Sequence, residues 1–201
     1  MSGVPTTEVV LLRYLQAGRE AALWKLEGVS EHDARRPLTP TGTNLLGVVK
    51  HLAGTEAGYL GSVFGRPFPE PLPWMSDDAE PNSDMYAAAS ESREDVVGLY
   101  RRVWAASDVT VAALDLDALG HVPWWPPEAN PVTLHRVLIH LIAETHRHAG
   151  HLDILREELD GTAGMRAEAP NLPGGDAEWW AAYWRRVSEA ADRYRADPTH
   201  P

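Results

Sequence analysis

Apolar residues recur at helical spacing along most of the chain. In the first stretch, about residues 7–27, Leu11, Leu15, Gly18, Ala22 and Leu26 share one face. Pro37 and Pro40 then break the chain. Thr41 or Thr43 can cap a second helix reaching about Phe64, with Leu45, Val48, Leu52 and Tyr59 on its inner face. Five prolines in residues 66–81, Pro81 included, make that segment an irregular connection. Ser92 followed by Asp95 forms a capping-box-like pair, opening a third helix that runs through Leu99, Val103 and Val111 to about Leu116. The next loop contains Pro123-Trp124-Trp125-Pro126-Pro127 and leads to Asn130-Pro131, a cap and first-turn pair for a fourth helix ending near Gly161. Asp176 can cap a final helix carrying Trp179, Trp180, Tyr183 and Trp184, an aromatic set suited to docking on the bundle or on a second subunit. No stretch alternates convincingly as a strand would. The pattern predicts an all-α fold, a four-helix bundle with an additional C-terminal helix, in which sites form between facing helices.

The fourth helix breaks its own pattern. Its apolar stripe of Leu134, Val137, Leu138 and Leu141 gives way to Glu144, His148 and His151 at i, i+4 and i+7, and resumes at Leu152 and Leu155. Burying each of these polar groups unpaired would cost roughly 1–3 kcal/mol. They are satisfied either by hydrogen bonds across the bundle or by one shared partner, for which a divalent metal is the economical choice. Glu144 and His148, one turn apart, can converge on one ion, and a third ligand would come from His151 or from another helix. On the second helix, His51 lies beside the inner stripe and can face His148 across the interior. His140 is in phase with Glu144 but a turn earlier. His135 and His146 fall off this face and read as solvent-facing, and His32 sits in a polar run. His121 and His200 lie in a loop and a tail that suggest no role.

Composition narrows the chemistry. The 201 residues suit a single domain over the whole chain, and the absence of cysteine excludes disulfides, thiolate nucleophiles and Cys-type zinc sites. A metal would be held by His, Asp, Glu or water, which suits zinc first, then nickel, iron or manganese. The net charge of −11 opposes a nucleic-acid partner. No apolar run reaches the length of a membrane span and no signal sequence opens the chain, so the expected location is cytoplasmic and no membrane partner is expected.

Two segments carry a family resemblance. Residues 142–157, Ile-Ala-Glu-Thr-His-Arg-His-Ala-Gly-His-Leu-Asp-Ile-Leu-Arg-Glu, resemble the fourth-helix signature of the DinB-like superfamily. The nearest branch is the one that includes the metal-binding domain of mycothiol-dependent maleylpyruvate isomerase. Residues 45–56, Leu-Leu-Gly-Val-Val-Lys-His-Leu-Ala-Gly-Thr-Glu, look like the second-helix signature. The resemblance covers about residues 7–160, leaving a helical extension at about 176–195. It implies a DinB-like four-helix bundle with a divalent metal held by His51, Glu144 and His148. His151 then becomes a flanking residue that orients a ligand or contacts substrate. Glu56, one turn beyond His51, becomes a candidate acid/base or supporting group. The resemblance further implies a transferase or isomerase acting on a small-molecule substrate, with a low-molecular-weight thiol such as mycothiol or bacillithiol as cosubstrate. The chain is too short for the isomerase's second domain, which sets that particular reaction aside. Because dimers are common in the family, a homodimer is implied. The alternatives are a hydrolase using metal-bound water and a non-catalytic, stress-related bundle with a structural metal. Trp74, Trp124 and Trp125, in proline-stiffened loops, either wall a pocket or cap the core.

Overall fold

A computed structural model of the protein describes residues 4–195; His200 lies outside the described residues. The chain divides into two compact units, Met1–Pro170 and Asn171–Pro201. The first holds α1 (Thr7–Trp24), α2 (Glu31–Arg35), α3 (Leu45–Leu60), α4 (Arg93–Ala113), β1 (Leu119–Gly120), β2 (Val132–Thr133) and α5 (Leu134–Asp160). Helices α1, α3, α4 and α5 make the four-helix bundle: α3 packs on both α4 and α5, and α1 packs on α5.

Local chemistry sets the helix ends. Ser92 and Asp95 form a reciprocal capping box at the start of α4, and α5 stops at Gly161, whose φ of 77° is left-handed. Two starts differ from the sequence expectation. Asn44, rather than Thr41 or Thr43, caps α3, its side-chain oxygen accepting from the Gly47 N–H at 2.8 Å. Asn130 does not cap α5. Its amide instead pairs with the N–H and C=O of Val122 at 2.8 and 3.0 Å, the short strands β1 and β2 pair beside it, and Thr133 caps the helix.

The core forms two apolar clusters. One gathers Ala22, Leu45, Val48, Leu52, Val96, Val103, Leu152 and Leu155; the other gathers Leu15, Tyr59, Leu60, Val111, Leu134, Leu138 and Leu141. Between them, each bundle helix contributes a buried polar residue: Arg19 from α1, Glu56 from α3, Ser107 from α4 and Thr145 from α5. Arg19 and Glu56 are each only 1% exposed and meet in a two-pronged ion pair at 2.5 and 3.2 Å, while Arg19 Nη1 also donates to Asp108 at 2.9 Å. Burial disfavours the Arg19 charge, but Glu56 and Asp108 more than offset this and hold its pKa above the ordinary value. A planar guanidinium suits this role because it can meet a carboxylate with two parallel donors.

The second unit contains α6 (Ala177–Asp192), capped by Asp176, whose side chain accepts from the Trp179 N–H. Along it, Trp179 and Tyr183 stack with ring centroids 5.6 Å apart, and no residue of the helix is buried. Among the described residues no helix is long and apolar enough to cross a membrane.

Removing Arg19 would strand the Glu56 carboxylate in the core. We expect Arg19→Ala to lower unfolding stability by about 3–5 kcal/mol, whereas Arg19→Met combined with Glu56→Leu recovers most of the loss. Urea unfolding followed by circular dichroism measures both.

Candidate metal centre

The site begins with a face of α3 that has almost no side chains. Gly47, His51, Gly54 and Gly58 follow one another at i, i+4, i+7 and i+11, so one imidazole projects from a strip of glycine. Neighbouring loops use the space. A Cβ at Gly47 would overlap the Met85 carbonyl, one at Gly54 would lie 2.6 Å from Met75 Sδ, and one at Gly58 would lie 3.4 Å from the Trp124 ring. The proline-rich connection between α3 and α4 is thus laid directly over the face that carries His51. It is fastened there near its α4 end: Asn44 Nδ2 donates to the Met85 carbonyl at 3.2 Å, and Lys50 Nζ to the Tyr86 carbonyl at 3.1 Å and Glu91 at 2.8 Å.

This fastening brings Asp84 to His51. Asp84 Oδ2 lies 2.6 Å from His51 Nδ1. A carboxylate at that nitrogen favours the tautomer with Nδ1 donating, which leaves Nε2 as an acceptor, with Thr55 Oγ1 3.4 Å away. Across the seam, α5 presents Glu144 and His148 one turn apart, with Glu144 Oε1 3.0 Å from His148 Nε2. The His51 and His148 rings are 4.8 Å apart between centroids. One donor atom from each of His51, Glu144 and His148 lies within 4.8 Å of the other two.

These residues fit a divalent ion. A metal takes the neutral imidazole, and burial, reinforced by the nearby His51, holds the His148 pKa below its ordinary value against the opposing pull of Glu144. Both histidines have their second nitrogen engaged: His51 Nδ1 by Asp84, and His148 Nδ1 by His151 Nδ1 at 3.4 Å. Three protein donors also leave open positions, as catalytic sites do. The cluster borders a cavity of about 400 Å3 lined by His51, Gly54, Thr55, Tyr59, Trp124, His140 and Glu144, among others.

The other candidates fall into place around this cluster. His151 touches His148 but is exposed and does not line the cavity. Glu56 is not brought to the site: it is sealed in the core against Arg19, and a carboxylate 1% exposed has no path for exchanging a proton with a substrate there. His140 does line the cavity, as does Trp124. His135, His121 and His32 are exposed. His146, expected to face solvent, is half-buried against Gly18 of α1 and donates from Nδ1 to the Ile142 carbonyl at 2.9 Å. Asp84 and Tyr59 join the site without a signal in the sequence pattern. Tyr59 reads there only as core, and Asp84 lies in coil with no periodicity to mark it.

A four-helix bundle with a His/Glu/His cluster on the seam between its second and fourth long helices is the DinB-like arrangement that the two signatures implied. Over residues 10–161 the chain matches the family model described as mycothiol-S-transferase, and it belongs to that family. No curated protein matches the chain.

Removing the Asp84 carboxylate frees the His51 ring to rotate. Asp84→Ala should weaken zinc binding by about 10–100-fold, read by competition with a chromophoric chelator, while the melting temperature of the metal-free protein stays close to that of the parent. Gly47→Ala, which displaces the Met85 backbone beside it, should weaken zinc binding in the same direction.

Proposed function

We propose that the protein is a divalent-metal-dependent S-transferase that joins a low-molecular-weight thiol, mycothiol or a close analogue, to a small electrophile. The observation that carries this reading is the convergence of His51, Glu144 and His148 beside a cavity, in a chain of the mycothiol-S-transferase family. His51 and His148 would hold the ion through Nε2 and Glu144 through a carboxylate oxygen, a nitrogen- and oxygen-rich donor set that suits zinc. Bound there, the ion lowers the pKa of a thiol that reaches it, so the sulfur loses its proton near neutral pH.

The chain's own residues supply geometry. Asp84 fixes the rotation and tautomer of His51, and His151 Nδ1, at 3.4 Å from His148 Nδ1, braces the His148 ring from the solvent side. Glu144 brings negative charge to the site, and the half-buried surroundings keep these groups from being fully solvated. In the transfer, the thiol proton passes to solvent or buffer and a carbon–sulfur bond forms. The leaving group departs from the electrophile with its electron pair. No protein cysteine is required, which agrees with its absence from the sequence.

The test is consumption of mycothiol with 1-chloro-2,4-dinitrobenzene by zinc-loaded protein, followed by absorbance of the conjugate. Chelation should abolish turnover and added zinc restore it. His148→Ala should remove turnover while leaving the helical circular dichroism spectrum intact. Equal activity in the chelated protein would defeat the metal-dependent reading. Hydrolysis of a substrate without thiol would replace transfer by a water-using reaction.

A further inference from the structure

The cavity continues past the metal cluster. Along α3 it runs from His51 through Gly54, Thr55 and Gly58 to Tyr59, two turns or about 12 Å. Along α5 it runs from Glu144 back to His140, one turn away. At this far end the walls are ring edges and faces: Tyr59 lies 5.2 Å from Trp124 and 4.8 Å from His140 between centroids, and Trp125, which does not line the cavity, lies 5.9 Å from Tyr59. The floor at Gly54 and Gly58 has no side chain to hold a ligand away from the helix. No Lys or Arg is among the lining residues.

The hydrogen bonding of Tyr59 is one-sided. Its oxygen accepts from Trp124 Nε1 at 3.0 Å and from Trp125 Nε1 at 2.9 Å. A phenol oxygen offers two lone pairs and one hydrogen. Two indole donors occupy the lone pairs, and among the described residues no acceptor takes the remaining hydrogen. Tyr59 is therefore held as a donor, and what it can meet in the cavity is an acceptor.

We propose that this end of the cavity is the subsite for the electrophilic partner, and that it selects a flat, uncharged aromatic or unsaturated molecule whose carbonyl or nitro oxygen accepts the Tyr59 O–H. This rests on the transfer reading for the subsequent reaction but not for the binding itself. The aromatic walls grip the flat ring, the glycine floor admits it, and Tyr59 fixes which end points away from the metal cluster. A charged acid finds no cationic side chain on these walls.

Binding without thiol or turnover tests the subsite, so a failure of the transfer chemistry leaves this result standing and the reverse also holds. Acetophenone and its isostere α-methylstyrene differ only in the acceptor oxygen. Ligand-observed NMR on zinc-loaded protein should give acceptor-bearing acetophenone an affinity about two- to tenfold higher. Tyr59→Phe should bind the two alike and keep the affinity for α-methylstyrene. Fluorotyrosine in place of Tyr59, a stronger donor of the same shape, should widen the preference. Acetylbenzenesulfonate, with the same carbonyl and a poorly coordinating anion, should bind more weakly than acetophenone. Equal binding of the isosteres by the parent protein, a preference that survives Tyr59→Phe or shrinks with fluorotyrosine, or tighter binding of the sulfonate would each overturn the proposal.

Discussion

A polar layer crosses the bundle between two apolar clusters, and the buried pair of Arg19 and Glu56 is its centre. Each of the four helices contributes one buried polar residue that falls along it between members of the two clusters: Arg19, Glu56, Ser107 and Thr145. Sliding α1 or α3 by a turn would place a charge inside an apolar cluster, at a cost of several kcal/mol. The layer therefore acts as a register mark. It fixes α1 against α3, and both pack on α5, the helix that brings Glu144 and His148 to His51.

Register alone does not complete the site, because His51 is the one candidate ligand that α3 offers on its glycine face. The glycines at 47, 54 and 58 let three separate pieces of chain approach that face: the Met85 backbone, the Trp74-Met75 turn and the Trp124 ring. Each close approach substitutes loop atoms for helix side chains. The loops thereby become the walls and supports of the cavity, with Asp84 the clearest case. A helix that carried ordinary side chains at those positions would hold the connection several ångströms away, and His51 would have only Thr55 at 3.4 Å beside it.

What could be read from the sequence divides along the same line. Ser92 with Asp95, Gly161 and Asp176 were legible because a cap and its partner lie within a few residues. Glu144 and His148 were legible because they interrupt a periodic stripe on a single helix. Asp84 was not, since its partner lies 33 residues away and the contact depends on where a coil is fastened. Glu56 was misplaced for a reason the sequence did contain. Five residues at about 100° each carry it roughly 140° round the helix from His51. Arg19 carried a signal too: Leu15, Arg19, Ala22 and Leu26 follow at i, i+4, i+7 and i+11, a buried stripe broken by one charge. A face traced through Gly18 hides it.

Two carboxylates on α3 and α5 met different fates, and the contrast bears on the ion. Glu56 has its countercharge built into the chain and is sealed away. Glu144 and Asp84 bring two negative charges to a pair of imidazoles, and their ion-pair contacts are with those histidines alone. Protonating both imidazoles would balance the charge, but burial pushes His148 toward its neutral form. With the imidazoles neutral, the cluster carries two uncompensated charges in a half-buried setting, where such an imbalance is costly. One divalent cation would remove that imbalance. The same charge balance constrains the second substrate: once a thiol sulfur adds its own negative charge, no positive charge remains for another anion. That is the electrostatic reason to look for an uncharged electrophile at the Tyr59 end of the cavity.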